Sequence, residues 1–207
     1  MGDSLESKES LARVQQHQAV MALFKYLRLD GTRYVLDITQ DEAEDLGIAS
    51  DMYKVIVDQL EVENKNIAKY IEQGIQFNLP DPQRQLKNYN NEQLRRSSRG
   101  YMKARSQYRF SGRITTTGQE QGSDSFTTTT ATNSVVFRCS TTGGALIASH
   151  TCTVSAFGVK NQGAGLSSPM CSAVIELPVA GSGSGIIAKL TYQTSCPGGG
   201  YCVWLSN

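Results

Sequence analysis

The apolar residues of this chain change their spacing partway along it, and that change constrains the fold more than any single motif. Up to about residue 75 they recur at three- and four-residue intervals, the period of a helix. After about residue 106 they alternate, the period of a strand with one buried face. The two periods belong to different element types, so the sequence predicts an α+β chain in two parts. A small helical domain covers residues 1–79, a connector 80–105, and an all-β sandwich or open barrel of about six strands 106–207.

In the helical part, Leu11, Val14, Met21, Phe24 and Leu27 predict an amphipathic helix over 4–28, stopped by Asp30-Gly31. Residues 33–38 read as a short isolated strand. Thr39 and Glu42 have the spacing of a capping box for a short helix that Gly47 ends. Ser50 is read as the cap of a longer helix reaching Gln73, with Tyr53, Ile56, Val57, Leu60, Ile67 and Ile71 on one stripe. Leu79-Pro80-Asp81-Pro82 marks the boundary, because each proline disfavours helix at the residue before it. Residues 83–105 lack a clear apolar face and read as an exposed connector, helical in part.

The β part is rich in Ser, Thr and Gly. Strands are expected around Tyr108–Ile114, at Val135–Phe137, along Leu146–Ala156, and at Cys171–Leu177, Ile186–Thr194 and Tyr201–Leu205. Gly/Ser/Asn clusters at 143–144, 161–165, 181–185 and 197–200 read as turns.

The net charge of +1 hides a strong segregation. Residues 1–82 carry eight basic and fifteen acidic side chains. The next 31 residues hold nine bases, Arg84, Lys87, Arg95, Arg96, Arg99, Lys103, Arg105, Arg109 and Arg113, against one acid, Glu92. A basic stretch interleaved with Tyr89, Tyr101, Tyr108 and Phe110 suits phosphates and stacked bases, so nucleic acid is one partner class. Arg95, Arg96 and Arg99 also form a candidate processing site, since exposed basic linkers are where trypsin-like proteases cut. A solvated linker that complements the acidic domain accounts for the same charges.

All five cysteines, Cys139, Cys152, Cys171, Cys196 and Cys202, fall in the β part. Such clustering in a domain with few large apolar residues is the pattern of a disulfide framework. Cys196 with Cys202 and Cys152 with Cys171 are the candidate pairs, leaving Cys139 as the odd thiol. On that basis an extracellular or cell-surface location is expected, although the polar, acidic first ten residues do not resemble a secretory leader. No run reaches the roughly 18–20 apolar residues that cross a bilayer.

Candidate chemistry is sparse. His150 and Cys152 share one face of a strand, which makes a Cys/His pair conceivable, but a disulfide cysteine near a hydrogen-bonded histidine gives the same pattern. Cys139, His150, Cys152 and Cys171 lack the spacing of a zinc site. The glycine-rich stretches lack the lysine and helix of a phosphate loop. No catalytic, cofactor-binding or metal residues are assigned. The expectation is an exported, non-enzymatic interaction or assembly protein, its partner another protein or further copies of itself. The β domain would be the binding or structural module, and the helical region a docking element or pro-segment. One alternative is a secreted toxin or antimicrobial protein, masked by the acidic region until cleavage near Arg96. Another is a Cys-dependent enzyme using Cys152.

Overall fold

The computed structural model describes residues 3–75, 77–98, 110–113, 120–129, 132–140, 144–181, 183–195 and 200–206. Side chains are described for 7–75, 77–92, 123, 125–129, 132–140, 144–181 and 183–195. Arg99, Lys103, Arg105, Arg109 and Cys196 lie outside the described residues. For Arg95, Arg96, Arg113 and Cys202 the description covers the backbone alone.

Helices occupy the N-terminal part and strands the rest. Helix α1 spans Asp3–Leu23, shorter than the sequence predicts, and passes through a 3-10 turn at Phe24–Tyr26. The chain then enters strand β1 (Leu27–Asp30), which pairs antiparallel with β2 (Arg33–Leu36). The expected isolated strand is therefore half of a hairpin. Gly31 takes the positive φ of 61° that its two-residue turn requires. Helix α1 also corrects the apolar stripe, because Leu11 and Val14 are exposed while Ala19, Val20 and Leu23 are buried.

Helix α2 (Gln40–Asp45) starts at the expected capping box: Glu42 N–H donates to Thr39 Oγ1, and Thr39 N–H donates to Glu42 Oε2. The Thr39 N–H and hydroxyl, both donating to Glu42 Oε2, hold that carboxyl below its ordinary range. Helix α3 spans Ser50–Glu72 and buries Ile56, Leu60 and Ile67 on one side. Ser50 is its first helical residue rather than its cap. That position falls to Ala49, which contributes no side-chain bond. Much of the connector is helix α4 (Pro82–Ser98), which begins at proline, the residue best suited to the first helical position. Leu86 of α4 packs on the helical core.

The β part is an eight-stranded sandwich: β3 (Phe110–Arg113), β4 (Glu120–Thr127), β5 (Ser134–Ser140), β6 (Ala148–Ala156), β7 (Val159–Ser167), β8 (Ala173–Pro178), β9 (Ile187–Thr194) and β10 (Gly200–Ser206). β3 pairs with β10, β4 with β9, β5 with β8 and β6 with β7, every pair antiparallel. These pairs alternate between two sheets ordered β3-β10-β5-β8 and β4-β9-β6-β7. The topology is that of one long hairpin rolled over itself, a jelly roll. The tip of the hairpin is the two-residue turn Phe157-Gly158, with φ of 52° and 74°. Phe157 bears the cost of a positive φ and packs its ring against the sandwich core.

The expected turn at residues 161–165 lies inside β7 instead. Gly163 and Gly165 are there for space, not for turning. A Cβ on Gly163 would stand 2.8 Å from Ile175 of the facing sheet, and one on Gly165 3.0 Å from the same side chain.

Two large apolar clusters form among the described residues. The sandwich core gathers Phe137, Cys139, Cys152, Val154, Ile175, Leu190 and Tyr192, among others. The helical core gathers Phe24, Leu27, Tyr34, Ile56, Leu60 and Ile67, and it takes in Leu146, Ile147 and Leu166 from the β part.

Candidate functional site

The chain's most distinctive polar construction lies where the helical part meets one end of the sandwich. The start of β6, the end of β7 and the end of β9 come together there, because Ala148 pairs with Ser167 and His150 with Thr194. Leu146 and Ile147 precede β6, and Leu166 lies on β7. All three insert into the helical core.

Around that apolar plug lies a set of hydrogen bonds. Glu63 of α3 is 1% exposed. Its Oε2 accepts from Ser149 N–H at 2.9 Å, and its Oε1 accepts from the Ser195 hydroxyl. Ser149 and Ser195 also touch through their hydroxyls at 3.1 Å, and Asn66 Nδ2 donates to Ser149 Oγ at 3.3 Å. Burial pushes the Glu63 carboxyl up, and the donors around it oppose that shift only in part. Farther out, Gln16 Nε2 donates to Gly144 O at 2.8 Å, and Ser168 Oγ to Gln85 Oε1 at 3.0 Å. Helices α1, α3 and α4 thus all grip the same end.

Asn64, beside Glu63, braces α3 from within. Its side-chain amide accepts from Tyr34 N–H and donates to Tyr34 O, both at 2.8 Å, as a neighbouring strand would. The Tyr34 hydroxyl donates to Pro80 O at 2.6 Å and so fixes the chain's path into α4.

A second buried polar group sits inside the sandwich. His150 Nε2 lies 2.6 Å from Ser167 Oγ and Nδ1 lies 3.2 Å from Tyr192 Oη, with the two rings stacked. Burial lowers its pKa to about 3, so the imidazole is neutral at physiological pH. Its ring nitrogens face Ser167 and Tyr192, while the Cys152 sulfur lies 3.8 Å from that of Cys139. That contact corrects the expected pairing. Cys152 meets Cys139, assigned above as the odd thiol, while Cys171 is exposed in a bridge with Ser168. The reason is topological, since Cys139 and Cys152 point into one core from facing sheets. All three are unbonded thiols in the structure.

Arg84 and Lys87 are exposed on α4. An open groove of about 460 Å³ runs between this junction and the outer edge of β8, lined by Phe77, Asn78, Gln85, Val174 and Glu176 among others. Among the described residues no group of three or more His, Cys, Asp or Glu side chains is placed to hold a metal ion. None of the described helices is long and apolar enough to cross a membrane.

The sequence reading missed Glu63, Ser149 and Ser195. The available signal was a lone acid, Glu63, following Ile56 and Leu60 at helical spacing, on the face that α3 buries. Comparison with known proteins finds no matching family model, no matching curated protein and no matching solved structure.

Proposed function

We propose that this chain is an exported, non-enzymatic assembly protein that associates with further copies of itself or with another protein. In this reading the jelly roll is the structural module, and the helical region is a docking element held permanently on its end. One observation carries it: three α-helices converge on one end of the sandwich through a shared apolar core and the buried Glu63–Ser149–Ser195 contacts. A pro-segment destined for removal needs a surface it can leave, whereas separating this one would expose Leu146, Ile147 and Leu166 to water. The edge strands of the sandwich offer backbone groups for lateral pairing. Val174 on edge strand β8 and Ile187 on β9, each 63% exposed, add apolar surface.

Light scattering over a concentration series, with electron microscopy of the same samples, tests the reading. Discrete oligomers that grow in with concentration are the expected result. A chain that stays monomeric throughout, and captures no protein from its native extract, overturns it.

The exposed Arg84 and Lys87 favour a second reading, in which the basic stretch from α4 onward contacts nucleic acid. Affinity should then fall with salt with a log–log slope of several units. Absence of binding at about 50 mM salt, where such contacts are strongest, rejects it.

A further inference from the structure

We propose that Cys139 and Cys152 join as a disulfide that ties the two sheets of the sandwich together. Cys139 lies on β5 in one sheet and Cys152 on β6 in the other, both fully buried and 13 residues apart in sequence. Their sulfurs are 3.8 Å apart, a contact between two thiols that face each other across the core.

The two sheets run close together on the strands next to the cysteines. A disulfide needs Cβ atoms about 3.5–4.5 Å apart, whereas facing sheets ordinarily stand about 10 Å apart. The adjacent strands report the local gap. Cys139 pairs with Ala173 on β8, and Cys152 pairs with Gly163 on β7. A Cβ built on Gly165, two residues along β7, would lie 3.1 Å from the Cβ of Ala173 in the other sheet. One built on Gly163 would lie 2.8 Å from Ile175. Glycines on β7 therefore let the sheets pinch together beside the two cysteines, whose sulfurs are already in contact across the core.

The chemistry is thiol–disulfide exchange with a small-molecule disulfide such as oxidised glutathione. One cysteine thiolate attacks the glutathione disulfide and releases one glutathione thiolate. The second cysteine then attacks the mixed disulfide and releases the other. Two protein thiols become one disulfide, one glutathione disulfide becomes two glutathione thiols, and the two protons lost by the protein pass to them. In the closed sandwich no reagent reaches these sulfurs, and burial pushes the Cys152 thiol up, away from its reactive thiolate. Exchange therefore proceeds as the sandwich forms and is slow afterwards, which suits an oxidising compartment. This bridge rests on sandwich geometry alone and is independent of the assembly reading.

Refolding the full chain from denaturant in a glutathione redox buffer, blocking free thiols and mapping peptides without reduction tests it. The expected product is a cross-linked peptide joining Cys139 to Cys152, with Cys171 recovered blocked. Reduction should lower the unfolding midpoint by about 6–12 °C more in this protein than in a Cys139→Ala/Cys152→Ala variant. A Cys171→Ala variant should form the same cross-link. Recovery of Cys139 and Cys152 both blocked overturns the proposal, as does either one linked to any other cysteine. Should the double variant not fold, the peptide map of the unmodified chain decides alone.

Discussion

Glu63 and His150 are both buried, and burial drives both towards the neutral form, but the two have opposite consequences for stability against pH. Glu63 has a raised pKa, so the folded state holds its proton more tightly than the unfolded chain does. Its contribution is complete below the ordinary carboxyl value of 4.5 and is lost as pH rises through the raised value. Glu63→Gln keeps an acceptor for Ser149 N–H and presents a donor to the Ser195 oxygen, without the proton. Unfolding midpoints measured from about pH 4 to about pH 8 should therefore decline less in the variant than in the parent chain, and parallel curves would contradict the assignment. His150 has a depressed pKa. Its contribution is complete above 6.5 and falls away as the pH drops towards about 3. His150→Phe should remove that acid-side loss. It should also cost about 1–3 kcal/mol at neutral pH, because the Ser167 and Tyr192 hydroxyls lose a buried partner. Denaturant titration at about pH 5 and about pH 7 separates the two effects.

Among the elements, β7 shows most clearly how local composition serves a distant contact. Glycine weakens a strand by backbone entropy, yet β7 carries Gly163 and Gly165 in its middle. Ile175 and Leu177 of β8 occupy the space where their side chains would be. Gly163→Ala should cost about 1–3 kcal/mol through overpacking, whereas Lys160→Ala, exposed on the same strand, should stay within about 0.5 kcal/mol of the parent. Equal effects in equilibrium unfolding would mean that the sheets are not pinched there. The same reasoning explains Phe157, a bulky residue at a positive φ. Gly181 and Gly183 leave room for its ring, so packing offsets backbone strain at the tip of the hairpin.

At the scale of the whole molecule, the helical part and the sandwich have separate apolar clusters but one shared seam. Trypsin should cut the basic segment from Arg95 onward first, since it is dense in arginine. The two fragments should nevertheless elute together in gel filtration, held by Leu146, Ile147, Leu166 and the Glu63 contacts. Ile147→Ala should weaken that association by about 2–4 kcal/mol, a fall in affinity of roughly 30–1000-fold. Fragments that separate without denaturant would favour the pro-segment alternative and remove the basis for permanent docking. Activity that appears only after the cut would do the same.

By itself the sequence determined whatever is local. The capping box at Thr39 and Glu42, the buried stripe Ile56–Leu60–Ile67 and the switch to alternation after the connector all depend on neighbours within a few residues. Each therefore leaves a readable pattern. The two-part α+β layout follows from these alone. Partners distant in sequence were decided by the tertiary structure. Residues 27–30 continue a helical stripe and become a strand only because β2 lies beside them. The glycines of β7 look like a turn until Ile175 and Leu177 are placed across from them. Cys152 meets Cys139 rather than Cys171 because β5 and β6 sit in facing sheets, and cysteine spacing carries no trace of sheet order. Glu63 is an ordinary helix acid in sequence. It becomes a buried clasp only when Ser149 and Ser195, 86 and 132 residues away, are folded onto it. Short-range preferences are written in composition and period, whereas the burial of a charge or the meeting of two sulfurs depends on which surfaces the completed fold presses together.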